Sequence, residues 1–245
     1  MTTRGISILI HGPAKSGKTS LADTTPAPRL FLDVESGGSD FTPSKKTYWD
    51  PKTEKPPVAD GSWETAVVYV RDYDDINRAY EWLNSGQHPF RSVILDSISE
   101  SQTRATDKIA PNGMDLQKWG TLLREVGGAA RKFRDLVTHP VKPLDAVVII
   151  AMTHQRNGTG NWTPFVQGQL RVFLPYLYDL LAYLAEPVHN ADGTTTRRLL
   201  TGPAPGYDAG GRFDDRLPRV IDNPNITDML RVIRGDEELT TNEVA

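Results

Sequence analysis

Ile6-Ser-Ile-Leu-Ile-His-Gly-Pro-Ala-Lys-Ser-Gly-Lys-Thr19 opens with an apolar run, Ile6 to Ile10, interrupted only by Ser7. Isoleucine dominates it, which suits a strand buried on both faces. Gly12 to Thr19 then matches G-x-x-x-x-G-K-[ST], a P-loop. The spacing has a physical reason. Two glycines let the backbone wrap until successive N–H groups point into one concavity that holds an anion. A helix starting near Gly17 adds the positive end of its dipole. Lys18 supplies a point charge for the β- and γ-phosphates, and the Thr19 hydroxyl is a Mg²⁺ ligand. The nucleotide cradle is therefore read as Gly12, Pro13, Ala14, Lys15, Ser16, Gly17, Lys18, Thr19 and Ser20. Pro26 and Pro28 keep the following helix short.

Working outward, Arg29-Leu-Phe-Leu-Asp-Val-Glu35 alternates Leu30, Leu32 and Val34 with Phe31, Asp33 and Glu35, and Gly37-Gly38 ends it. That is a strand with carboxylates at its carboxyl end, the edge where open α/β sheets bind ligands. Glu35 is the candidate to orient or deprotonate an attacking water; the plainer reading is an acid capping a turn. Arg91-Ser-Val-Ile-Leu-Asp96-Ser97 is an apolar strand ending in aspartate. Downstream of a P-loop it reads as a Walker B element, with Asp96 holding Mg²⁺ opposite Thr19. Asp145 to Gln155 is a further buried strand with a polar end, where His154 or Gln155 can sense the γ-phosphate or simply begin a loop.

Between these landmarks, Phe41 to Ser62 is rich in Pro, Lys, Thr and Asp and reads as an exposed excursion. Ala66 to Val70 is a strand. Asp72 or Asp74 caps a helix burying Ile76, Ala79, Tyr80 and Leu83, and Ser85-Gly86 stops it. Asp115 to Val137 carries a long amphipathic pattern in which Gly127-Gly128 marks a kink or a close helix–sheet contact. The segment Arg156 to Arg171 is polar and basic with two aromatics. It suits single-stranded nucleic acid, with Arg156 and Arg171 on phosphates and Trp162 or Phe165 on a base, and suits a disordered surface loop equally. Asp192-Gly193 lies between two apolar segments and signals a hairpin. Arg212 and Arg216 are candidates for an arginine finger reaching a neighbour's nucleotide, or for ion pairs with Asp214 or Asp215. Pro224 to Ile233 begins a last short helix.

At 245 residues the chain can bury a sizeable core without staples. It contains no cysteine, which excludes a disulfide framework and a Cys-based metal site and fits a reducing compartment. No apolar run approaches 18 residues, so no membrane partner is expected. The amino terminus reads as no signal peptide. A net charge of −3 announces no basic nucleic-acid footprint, so any such contact rests on local loops. Strands alternating with helices over the first 150 residues predict an α/β fold with a mostly parallel central sheet flanked by helices and a carboxyl-terminal β-hairpin extension. The expected organisation is one domain over residues 1–234, with the excursion at about 41–62, followed by an acidic, frayed tail over 235–245.

The ordered set G-P-A-K-S-G-K-T, L-F-L-D-V-E-S-G-G, S-V-I-L-D-S and V-V-I-I-A-M-T-H resembles the RecA-type P-loop ATPase core. It is most similar to compact phage proteins of the Sak-type single-strand annealing group, often labelled AAA or RecA-like ATPases. No carboxyl-terminal helical lid of the strict AAA+ kind is visible, nor an amino-terminal oligomerisation helix of the RecA kind. The resemblance implies ATP and Mg²⁺ as ligands, with Lys18, Glu35, Asp96 and His154 as catalytic residues and Thr19 and Asp96 at the metal. His154 falls where RecA itself has a glutamine that reports nucleotide state to its DNA-binding loop. The resemblance also implies single-stranded DNA as partner, a homo-oligomer, a single-strand-binding or other recombination protein nearby, and the host cytoplasm as location. The expected function is a DNA-dependent ATPase of phage-type recombination. The alternative is a nucleotide-gated loader acting on a protein partner. A small-molecule kinase is disfavoured, because no arginine-rich lid for a second phosphoryl substrate is present.

Overall fold

The computed structural model describes residues 4–158, 160–213 and 216–236. β1 (Ile6–His11) is buried along its whole length and runs through the middle of the sheet, as its apolar composition predicts. The P-loop follows it and leads into α1 (Lys18–Ala22). β2 (Arg29–Asp33), β3 (Lys46–Tyr48) and β4 (Thr65–Tyr69) come next, then α2 (Tyr73–Ser85), β5 (Ser92–Asp96), α3 (Ile98–Ile109) and α4 (Leu116–Asp135). β6 (Ala146–Ala151) completes the parallel core strands on this side of the chain. The remainder is β7 (Thr153–Gln155), β8 (Trp162–Pro164), α5 (Leu170–Leu177), β9 (Leu180–Leu184), β10 (Val188–His189), β11 (Thr195–Thr196), β12 (Arg198–Leu200), β13 (Gly210–Gly211), β14 (Val220–Asp222) and α6 (Ile226–Arg234).

The main sheet runs β14-β12-β9-β1-β6-β5-β2-β4-β3, with β13 also paired to β9. Every pairing from β9 across to β3 is parallel, and β12 and β13 run antiparallel to β9. This is an α/β fold with a mostly parallel central sheet flanked by helices, as expected. β6 lies between β1 and β5, and Asp33 stands in register with Asp96 on adjacent strands. Both acids therefore reach the same edge as the P-loop.

Alternation along the strands assigns the two faces. Leu9, Leu30, Leu95, Val147 and Ile149 pack with α2, α3 and α4, whereas Ile8, Ile10, Phe31, Ile94 and Val148 pack with Leu21 and α6. Local chemistry sets the helix ends. Asp72 accepts from the Asp75 N–H while the Asp75 carboxylate accepts from the Asp72 N–H, and Gly86 closes α2 in the left-handed region. Ser97 caps α3, Asp115 caps α4 and Asn225 caps α6.

Three expectations change. The 41–62 excursion contains an edge strand, β3, paired parallel to β4. Trp49 and Trp63 bury against Phe90, with ring centroids 5.9 and 6.2 Å away, and tie both ends of the excursion to the core. Within the 156–171 segment, which can also be read as a disordered loop, Trp162–Pro164 form β8, paired antiparallel with β7 just before the segment, and Leu170 begins α5. Gly127 leaves α4 continuous and marks a helix–helix approach rather than a helix–sheet one. A Cβ there would stand 2.9 Å from the Phe173 ring of α5. The Asp192-Gly193 hairpin forms as expected, with β9 and β12 continuing into the β10–β11 ribbon. Asp214, Asp215 and residues 237–245, where the finger alternatives and most of the acidic tail fall, lie outside the described residues. Among the described residues no helix is long and apolar enough to cross a membrane.

Candidate active site

Lys15 (φ 62°) and Gly17 (φ 98°) both take left-handed backbone, and this curls the P-loop amides inward. With only five residues, α1 adds little dipole, so the loop itself is the anion cradle. Ser16 is buried in it with a hydroxyl that has no hydrogen-bond partner. Lys18 Nζ donates to the carbonyls of Gly12 (3.0 Å) and Pro13 (2.7 Å). Burial pulls its pKa below the usual lysine value, while Asp96 and Glu35 work to raise it. A phosphate chain replaces these carbonyls with a stronger acceptor.

Thr19 Oγ1 donates to Asp96 Oδ2 at 2.7 Å. Burial pushes the Asp96 carboxyl up to about 7; the Thr19 bond opposes that shift, and the charges of Glu35 and Asp33 reinforce it. A buried carboxylate paired with a hydroxyl is a hard-oxygen donor set suited to Mg²⁺, whose charge removes the cost of ionising Asp96. Glu35 is solvent-exposed just past β2, and its Oε1 accepts from Ser97 Oγ at 2.6 Å. The turn carrying it is held by Asp33, whose Oδ2 accepts from the Gly37 N–H, the Ser39 N–H and the Ser39 hydroxyl. A Cβ on Gly38 would stand 3.8 Å from Thr19, so this turn lies directly beside the P-loop. Arg104 clamps the same edge by donating to the carbonyls of Val34 (2.7 Å) and Arg71 (3.0 Å). The fold thus brings Lys18, Thr19, Asp96 and Glu35 together.

Residues 4–213 match the model of an AAA domain family. The chain belongs to that family. No curated protein matches this AAA domain. Among solved structures it is similar to a KaiC-like protein from the hyperthermophilic archaeon Pyrococcus horikoshii OT3, at 11% identity and a TM-score of 0.43, over 80% of this chain and 79% of that one. The AAA domain match establishes a P-loop ATPase.

His154 sits on the β7–β8 ribbon, apart from the main sheet, with its ring edge-on to Phe165 at 5.2 Å. Burial lowers its pKa, and Arg156 and Arg171 lower it further. His154, Arg156 and Arg171 line one groove of about 1010 Å³ with Tyr176 and Tyr207. Trp162 is half-buried; its backbone is tied to Gly206 and Asp208. Arg212 and Arg216 lie at the opposite, amino-terminal edge of the strands of this AAA domain. Arg212 donates to the Tyr176 carbonyl and faces Asp179, and Arg216 donates to the Ile233 carbonyl.

Sequence reasoning missed His11, the last residue of β1. It is 0% exposed. Nε2 lies 2.7 Å from the Asp208 carbonyl and Nδ1 lies 3.1 Å from Thr153 Oγ1. Only a donor can face a carbonyl, so Nε2 carries the proton, and Nδ1 lies against the Thr153 hydroxyl. The Asp208 carboxylate in turn holds Arg156 (2.8 Å) and Asn161 (3.0 Å). A continuous hydrogen-bonded path therefore joins the P-loop strand to the groove. Burial keeps the His11 ring neutral, with a pKa of about 4. The unfolded chain binds the extra proton near 6.5, so stability is lost as pH falls through that window. Asp96, raised to about 7, works in the opposite direction, so the His11 contribution is read by difference. Between pH 7 and pH 5, urea unfolding of the wild type is expected to lose roughly 2 kcal/mol relative to a His11→Gln variant. Parallel pH profiles for the two proteins would contradict a neutral, buried His11.

Proposed function

We propose that this AAA domain is a Mg²⁺-dependent ATPase that binds single-stranded DNA and supports annealing or strand exchange in phage-type homologous recombination. Lys18 and the loop amides hold the triphosphate, and Thr19 and Asp96 hold Mg²⁺. When bound, the ion neutralises charge developing on the transferred phosphoryl group. Glu35, oriented by Ser97, takes a proton from the water that attacks the γ-phosphorus, and the bond to the ADP oxygen breaks. His154 lines the groove that responds to the γ-phosphate.

The observation that carries the DNA reading is the groove. Arg156 from the β7–β8 ribbon, paired there with Asp208, and Arg171 from α5 converge on it with Tyr176 and Tyr207, two arginines beside aromatic faces. The His11–Asp208–Arg156 path ties that groove to the P-loop. Tyr176 is 76% exposed, which leaves its ring available to a base. A homo-oligomer is part of the same reading. Arg212, whose side chain is 61% exposed, is then available to a neighbouring subunit's nucleotide.

The test is steady-state ATP hydrolysis with and without single-stranded DNA, beside fluorescence anisotropy of a labelled oligonucleotide. DNA is expected to stimulate hydrolysis. An Arg156→Ala, Arg171→Ala double variant is expected to bind ATP normally and to lose at least tenfold in DNA affinity. Removing two phosphate contacts should also shrink the slope of log K against log salt by about 1.4. Hydrolysis indifferent to DNA, with no binding by the wild type, would move the function to a nucleotide-gated loader acting on a protein.

A further inference from the structure

We propose that Arg197, at the base of the β10–β11 arm, is a nucleotide-binding residue that pairs with the α-phosphate and closes the nucleoside end of the site. The inference rests on the P-loop reading above. Gly17 and Arg197 are 180 positions apart in the chain, yet a Cβ built on Gly17 would meet Arg197 Nε at 2.6 Å and Cδ at 3.0 Å. The guanidinium end of Arg197 therefore lies on the P-loop glycine itself.

Three features point to a ligand role. The backbone is locked in place: the Arg197 N–H donates to Asn223 Oδ1 at 3.0 Å, and the Asn223 N–H donates to the Arg197 carbonyl at 2.6 Å. Asn223 takes a left-handed φ of 47° at this position. The side chain, by contrast, is exposed and makes no hydrogen bond or ion pair among the described residues. Its neighbour Arg198 is fully paired with Asp222 at 2.8 Å. An arginine fixed at its backbone, aimed at a phosphate loop and lacking a carboxylate partner is a cation placed for an anion.

The strand order says which phosphate. Asp96 and Glu35 follow β5 and β2, on one side of β1. Arg197 precedes β12, on the other side of β1 and beyond β9. The reacting γ-phosphate belongs with the acids, so the chain of phosphates runs away from them and its α end meets Arg197. An α-phosphate contact is shared by ATP and ADP, which separates Arg197 from a γ-phosphate sensor.

The test uses the full chain and calorimetric titration of a non-hydrolysable ATP analogue and of ADP. Arg197→Ala is expected to weaken both by about tenfold, the scale of one charge-assisted hydrogen bond. The ratio of the two affinities should stay as in the wild type. Arg197→Lys should recover part of the loss. The melting temperature of the nucleotide-free protein should be unchanged, while the nucleotide-induced rise in it shrinks. Unchanged affinity for both nucleotides, or a loss confined to the ATP analogue, would overturn the assignment. Lys18→Ala, titrated alongside, separates the two levels. If it binds nucleotide as the wild type does, the P-loop reading itself fails, and the role of Arg197 fails with it.

Discussion

Lys18→Ala is expected to abolish nucleotide-dependent behaviour while leaving the fold intact. Lys18 is half-buried at the first position of α1, and alanine is an excellent helix former there. The bonds lost in the nucleotide-free protein are two to backbone carbonyls, Gly12 and Pro13, so the cost to stability is small. The cost to binding is large. A desolvated ammonium on the β- and γ-phosphates makes two charge-assisted hydrogen bonds, each worth about 1.5–3 kcal/mol. ATP affinity should therefore fall at least 100-fold, and hydrolysis should fall below detection. The checks are calorimetric titration of ATP and the ATP-induced thermal shift. Affinity within threefold of the wild type would remove the basis for placing phosphates in this loop.

Glu35→Gln separates chemistry from binding. The amide oxygen can still accept from Ser97 Oγ, so the side chain keeps its place. What disappears is the proton acceptor. A positioned general base contributes about 10²- to 10⁴-fold to rate, so kcat is expected to fall at least 100-fold with ATP affinity nearly unchanged. Single-turnover hydrolysis beside equilibrium binding reads both quantities. Asp33→Asn is the informative contrast. Asp33 is 2% exposed and already accepts three hydrogen bonds from the Gly37–Ser39 turn, so its loss should appear as lower stability. If Glu35→Gln hydrolyses at the wild-type rate, the water is activated elsewhere, and Glu35 is a turn acid.

Much of this arrangement is legible in the sequence. Alternation in Arg29 to Glu35 and in Arg91 to Asp96 marks strands ending in acids, because side-chain direction in a strand repeats every two residues. The ends of α2 were readable from Asp72 and Gly86, and the hairpin turn from Asp192-Gly193, because caps and turns are satisfied by atoms a few residues away. The short edge strand β3 was missed for a related reason. Lys46-Thr-Tyr48 has no apolar alternation, and it pairs only because Trp49 and Trp63 pull its flanks into the core. The order of the β7–β8 ribbon escaped notice likewise, since its own short pairing is supplemented by Tyr207, Asp208 and the Met152 backbone, which are distant or outside the segment.

The sequence by itself determined the phosphate loop, the strands that follow it, the acids at their ends and the α/β class, since each rests on contacts or periodicities spanning a few residues. Tertiary structure alone decided which strands are neighbours. It therefore decided that Thr19 meets Asp96 across 77 positions, that Ser97 holds Glu35 across 62, and that His11 reaches Asp208 across 197. The physical reason is that such pairs are made by the closure of long loops. Their identity depends on how the whole sheet orders itself and not on the residues beside them.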